Sequence, residues 1–278
     1  MPKTFRKAKN LPTWRRIAVN AWSAPTQATI YGSVDIDATA ALEYIAGFRA
    51  RGSRITITHL VAKAVAHAIS KMPEANGIVA KGSLRLRSTV DIFLQVSLDD
   101  GATLSGATIR NADHKSAEEI ATELAAKVEE IRAHKDKATE KTTSTMSKIP
   151  DRLLGPVMRL LSSAQYDHNI DLTKLGVEMD TFGSAMVTNV GMFGLQQGFA
   201  PAFPLGRTAI VILVGEITKK PVVVEDEIVV RPILSLHATV DHRIVDGYHA
   251  GVLAKHMREA LLNPSLFMGT NTRKVSDR

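Results

Sequence analysis

Ser235-Leu236-His237-Ala238-Thr239-Val240-Asp241-His242-Arg243-Ile244-Val245-Asp246-Gly247 passes from a β-forming run into a polar turn and then into the start of a helix. Ser235 to Val240 read as a strand. His242 then sits where a strand ends and the chain turns, a position from which a rigid scaffold presents a catalytic group. An imidazole takes up a proton near neutral pH without unusual burial, so His242 is the candidate general base. Asp246, four residues on, can hold the loop or pair with an arginine, and Gly247 permits backbone angles that other residues resist. By spacing alone, the pattern suits an ordinary surface or core histidine equally well.

The 278 residues, 45% of them hydrophobic, can bury a substantial core, and the composition excludes disordered and collagen-like chains. There is no cysteine, which excludes disulfides, thiolate metal sites and a cysteine nucleophile. Any thiol in the chemistry must come from a substrate. The eight histidines other than His242, including His237, His249 and His256, show no metal-ligand spacing with carboxylates, so no metal is expected. The net charge is +7, and Lys3, Arg6, Lys7, Lys9, Arg15 and Arg16 crowd the first sixteen residues without an acid. A solvated basic tail over 1–12 accounts for them. A polyanion or a phosphate-rich cofactor is the alternative, although no nucleic-acid motif accompanies the charge and no nucleic-acid partner is expected. No secretory signal or membrane-spanning stretch is found, and a cytoplasmic protein is expected.

The remaining elements read as follows. A first helix carries Trp14, Ile17, Ala18, Ala21 and Trp22 inward, and a strand covers Thr29 to Ile36. Asp37 caps a helix containing Leu42, Ile45 and Phe48, and Thr58 opens another with a stripe of Val61, Ala64, Val65, Ala68 and Ile69. Leu84 to Ile109 is β-rich, with a turn at Asp99-Asp100-Gly101. Ser116 and Glu119 have capping-box spacing ahead of Ile120, Leu124, Val128 and Ile131. Ala138 to Lys148 reads as an exposed linker, and Leu153, Leu154, Val157, Met158 and Leu161 share one face of a short helix suited to core or interface packing, or to a lid. Strands follow at Ser184–Asn189, Ala209–Glu216, Val222–Val224, Ile228–Val230 and Ile233–Val240, then a helix from Asp246 to Leu262. Without regular βαβ alternation, this order favours a mixed α+β domain.

His242-Arg243-Ile244-Val245-Asp246-Gly247 matches the HxxxDG signature of the acyltransferase (E2) components of 2-oxoacid dehydrogenase complexes and of chloramphenicol acetyltransferase, and Asp241-His242-Arg243 is the E2 form. Val187-Thr188-Asn189-Val190-Gly191-Met192-Phe193-Gly194 resembles a second E2 segment, as do Ile55 to Asn76, Gly101, Ile109 to Asp113 and Val222 to Pro232. The similarity covers about 13–135 and 182–267. It implies an α+β, chloramphenicol acetyltransferase-like two-layer sandwich with a mixed sheet and helices on one face. It also implies a single catalytic domain over 13–267, an insertion at about 138–180, and a polar tail over 268–278.

In the family, a histidine deprotonates the thiol of CoA or dihydrolipoamide, and the thiolate attacks the thioester of the other in a ternary complex. The resemblance gives that role to His242 and the oxyanion-donor role to Thr188, where E2 proteins usually carry serine; the plain alternative is that Thr188 is a β-former in a strand interface. It places Asn189, Gly191 and Gly247 at the substrate, and pairs Asp246 with Arg15 or Arg16 near the domain's start. Coenzyme A or acyl-CoA is then a substrate, with active sites between the subunits of a homotrimer. The expected form is standalone: it has no lipoyl or subunit-binding domain and no covalent lipoyl group, because Asp136-Lys137-Ala138 follows a helix instead of occupying a hairpin tip. The acceptor would be lipoamide on a separate lipoyl-bearing protein, or a small thiol or alcohol. The competing reading is a non-catalytic structural or regulatory E2-like subunit.

Overall fold

The computed structural model describes residues 28–98, 103–133, 151–203 and 205–269. The helix expected around Trp14, Arg15 and Arg16, the Asp99-Asp100-Gly101 turn, the 138–148 linker and the tail after 269 lie outside the described residues. The strands are β1 (Thr29–Asp37), β2 (Gly77–Ala80), β3 (Ser83–Leu86), β4 (Ile92–Leu98), β5 (Thr103–Ile109), β6 (Ala185–Asn189), β7 (Ile210–Val214), β8 (Thr218–Val224) and β9 (Glu227–Asp241). The helices are α1 (Thr39–Arg49), α2 (Ile57–Lys71), α3 (Ala117–Arg132), α4 (Asp151–Ser162), α5 (Gly247–Leu262) and the short α6 (Pro264–Phe267).

A seven-stranded sheet runs in the order β1-β9-β7-β6-β4-β5, with β8 paired to the other end of β9. The β4–β6 and β6–β7 pairs are parallel and the rest antiparallel. Alternation along each strand separates two faces. Ile92 and Leu94, Ala185 and Val187, Ile210, Ile212 and Val214, and Leu234 and Leu236 belong to the core that α1, α2, α3 and α5 complete. Phe93, Met186, Thr188, Leu213 and His237 alternate with them and look the other way. The result is an α+β two-layer sandwich, with a mixed sheet and helices on one face.

Three elements differ from the sequence reading. Ile228–Val230 and Ile233–Val240 are not separate strands: β9 runs unbroken through Arg231 and Pro232. Helix α2 begins at Ile57 behind Thr56, whose backbone N–H donates to His59 Nδ1 at 3.0 Å. It buries every residue from His59 to Ile69 rather than one stripe. In α4, Leu153 is exposed and Val157, Met158 and Leu161 are only half-buried, which departs from the core alternative and leaves the interface and lid alternatives untouched. The capping box at Ser116 and Glu119 forms as expected, with bonds of 2.7 and 3.1 Å.

The segment after α4 is tied down by arginines. Arg207 grips the Asp167 carboxylate at 2.5 and 2.8 Å, Arg87 grips Asp180 at 2.6 and 2.9 Å, and Arg110 bridges Asp91 and Glu178, both at 2.9 Å. Such two-pronged contacts fix orientation as well as distance.

Lys63, in the middle of α2, is 1% exposed, and its Nζ donates to the carbonyl of Asp113 at 2.8 Å. Burial, partly offset by the charges of Asp113 and Glu119, lowers its pKa from 10.5 to about 8. The folded protein therefore holds this proton more weakly than the unfolded chain, and stability from this group is present above pH 10.5 and is lost as the pH falls through about 8. The stability of wild type relative to Lys63→Met, measured by urea unfolding, should rise by roughly 3 kcal/mol between those pH values. A flat difference would show that the ammonium group is not desolvated.

Candidate active site

His242 stands on a turn pinned at both ends. Before it, Asp241 closes β9, and its backbone N–H donates to Ala209 O at 2.9 Å. The Asp241 carboxylate takes Arg243 Nε at 2.9 Å and Nη2 at 2.5 Å. Burial pushes the Asp241 carboxyl up, and the Arg243 hydrogen bonds more than reverse this, leaving it below the usual carboxylate range. The backbone N–H groups of Ile244 and Val245 both return to Asp241 O at 2.9 Å, and both side chains are buried. Between these anchors, His242 and Arg243 are exposed. The backbone N–H of His242 donates to Ala28 O at 2.6 Å, which ties the turn to the start of β1.

Asp246 ends the turn as the N-cap of α5. Its Oδ1 accepts from His249 N at 3.0 Å and meets His249 Nδ1 at 2.7 Å. These His249 contacts hold the Asp246 carboxyl below its ordinary value. Arg15 and Arg16, the expected partners, lie outside the described residues; among the described residues the partner of Asp246 is His249. Gly247 needs no left-handed backbone here. It begins α5, and a Cβ added to it would meet nothing within 4 Å, so the expected conformational freedom is not what this position uses.

Thr188 lies elsewhere. It is on β6, 8% exposed, and lines a cavity of about 1180 Å³. Thr188 pairs with Leu213 and Leu213 with His237, whereas β9 reaches His242 only beyond the Val240–Ile210 pair. Five residues of strand separate the two levels, about 16 Å along the sheet. One chain therefore does not bring His242 and Thr188 together.

Asn189 fixes the end of β6. Its Nδ2 donates to Thr58 Oγ1 at 2.8 Å, and its Oδ1 accepts from Gly191 N at 2.9 Å. A Cβ on Gly191 would fall 2.7 Å from the backbone of Gly215 and Glu216, so glycine there allows the loop to lie against the end of β7. Asn189 and Thr188 both line the cavity, whereas Gly191 and Gly247 are not among its lining residues.

His59 also lines this cavity and was not singled out by the sequence. Burial lowers its pKa to about 4, so the ring is neutral, and its Nδ1 accepts from Thr56 N. The Thr56–His59 spacing is a capping-box spacing with histidine in place of the usual acid or amide, and that was the available signal. Among the described residues, no group of three or more His, Asp or Glu side chains is gathered as a metal site, and no helix is long and apolar enough to cross a membrane.

The chain is 22% identical over 218 residues to the dihydrolipoyllysine-residue acetyltransferase component of the pyruvate dehydrogenase complex of Rickettsia bellii, covering 78% of this chain and 42% of that protein. It is 26% identical over 213 residues to the dihydrolipoyllysine-residue succinyltransferase component of the 2-oxoglutarate dehydrogenase complex of Staphylococcus epidermidis, covering 77% and 41%. The chain thus spans about two-fifths of the length of these relatives. A crystal structure of a probable dihydrolipoamide acetyltransferase from Listeria monocytogenes superimposes with a TM-score of 0.63 at 20% identity, covering 98% of this chain and 99% of that one, which shows the shared fold. The pattern of the 2-oxoacid dehydrogenases acyltransferase (catalytic domain) family matches residues 5–148 and 168–269 and passes over 149–167, where α4 lies. By that match, the chain belongs to the 2-oxoacid dehydrogenase acyltransferase family, as a catalytic domain.

Proposed function

We propose that this domain transfers an acyl group between CoA and a dihydrolipoamide thiol, in active sites completed by two copies of the chain. The observation that carries the reading is the division of the site. His242 is exposed on a rigid turn, while Thr188 is buried in a cavity about 16 Å further along the sheet. An exposed base and a buried hydroxyl that far apart suit a site in which the turn of one subunit enters the cavity of the next. Rotational repetition of that contact closes a homotrimer.

In the proposed reaction, the His242 imidazole removes the proton from the acceptor thiol. The thiolate attacks the thioester carbonyl, and the Thr188 hydroxyl donates to the resulting oxyanion. Collapse expels the second thiol as thiolate, which takes the proton back from His242. No enzyme thiol is needed, in keeping with a chain that has no cysteine. Asp241 and Asp246 position the turn through Arg243 and His249. Residues 13–267 serve as one catalytic domain, and the part of the expected 138–180 insertion that the family pattern passes over is 149–167.

Replacing His242 with alanine should lower transfer from acyl-CoA to dihydrolipoamide by about 10³-fold with the domain still folded, because within its own chain the side chain is exposed and the bond to Ala28 uses backbone. Thr188→Ala should cost about 10²–10³ in kcat, with Thr188→Ser retaining most of the activity. Unchanged turnover in Thr188→Ala would return Thr188 to the status of a β-former.

The division of the site has its own test. Refolding a mixture of His242→Ala and Thr188→Ala chains should restore part of the activity that neither variant has alone, since some interfaces then carry both intact groups. No recovery in assemblies shown by mass to be mixed would place the site within a single chain.

A further inference from the structure

Met186 precedes Thr188 by two residues on the same face of β6, about 7 Å away, and it pairs across the sheet with Phe93. Phe93 packs on Phe182 with ring centroids 4.9 Å apart, and Phe182 packs on Phe203 at 5.0 Å. All three rings line the Thr188 cavity, with Leu213 as a further wall.

The rings are seated by two glycines. A Cβ on Gly106 would fall 2.3 Å from the Phe93 ring, and one on Gly206 would fall 2.5 Å from the Phe182 ring. Any other residue at either position would displace the aromatic wall. Among the described residues, the lining of this cavity contains no Lys, Arg, Asp or Glu. A carboxylate packed against the three rings would lose water without gaining a counter-charge from the cavity's described lining, at a large cost.

If Thr188 donates to the thioester oxyanion, the acyl carbon lies within a hydrogen bond of its hydroxyl, and the phenylalanine wall is the apolar side of the cavity along which the rest of the acyl chain can extend. We propose that the group transferred is an uncharged hydrocarbon acyl chain longer than acetyl, selected by the Phe93, Phe182 and Phe203 wall. The two relatives described above act on acetyl and succinyl groups by name, and this wall matches neither a very small group nor an anionic one. The inference rests on the reading of Thr188 as the oxyanion donor.

Thioether analogues of acyl-CoA bind but cannot transfer, so they separate the pocket from the chemistry. Calorimetric titration of the full chain with S-hexyl-CoA, S-ethyl-CoA and S-(3-carboxypropyl)-CoA should give the first at least about tenfold tighter than the other two. Phe203→Ala should remove most of that preference, and Phe203→Leu should restore part of it; Phe203 is half-exposed, and its loss leaves the core intact. Equal affinities, or tightest binding of the carboxylate analogue, would overturn this proposal and leave acyl transfer itself standing. A hexyl preference lost in Phe203→Ala, in a protein that transfers no acyl group, would support the pocket and sink the catalytic reading. Failure of all three analogues to bind would overturn both.

Discussion

Strand β9 is the constraint on which the rest of the structure depends. Its C-terminal half is paired on both edges, to β1 from Ile233 to Asp241 and to β7 from Leu236 to Val240, while its N-terminal half carries β8 as a hairpin closed at Glu225 and Asp226. A strand held on both sides cannot slip without breaking two ladders at once. The turn bearing His242 is the direct continuation of that strand, so its position inherits the rigidity of the sheet. The last ladder contact, Asp241 N to Ala209 O, is one residue from the imidazole.

Much of this was legible in the residues, and the failures have physical causes. The Ser116 capping box and the Asp246 start of α5 are local signals, satisfied by side chains three residues apart, and they hold. Pro232 suggested a break in β9, since proline cannot donate to a ladder. Its carbonyl accepts from Ala38 N on the β1 side, so its nitrogen also points there, beyond the last β1 pair at Asp37–Ile233. No ladder bond is lost, and the strand continues. In α2, the polar letters His59, Lys63 and His67 suggested a solvated side. Tertiary contacts bury them instead; His59 is met locally by Thr56 in the capping box, while the Lys63 bond to Asp113 O spans 50 residues and has no local signal.

The HxxxDG stretch was legible as a motif but not as a mechanism of positioning. The sequence places two carboxylates around His242, and only the structure assigns them: Asp241 clamps Arg243 across the turn, and Asp246 caps α5 and holds His249. The buried pair Ile244 and Val245 lies between them, so the turn is fixed by two polar clamps and an apolar plug. The link from Asn189 to Thr58, 131 residues apart in sequence, had no local signal at all.

Strand alternation also divides labour across the sheet. Val187 is fully buried in the helix-side core, Thr188 faces the cavity with Met186, and Asn189, at the end of the strand, lines the rim of that cavity while bonding to the start of α2. A slip of β6 by one residue would turn every one of these side chains to the opposite face. Thr188 would enter the aliphatic core with an unpaired hydroxyl, and Val187 would take its place at the cavity. The parallel pairings of β6 with β4 and β7 prevent this on both sides, from Ala185–Ile92 to Asn189–Val214. The register that packs the core and the register that presents the Thr188 hydroxyl are therefore the same, and a change in one cannot be made without the other.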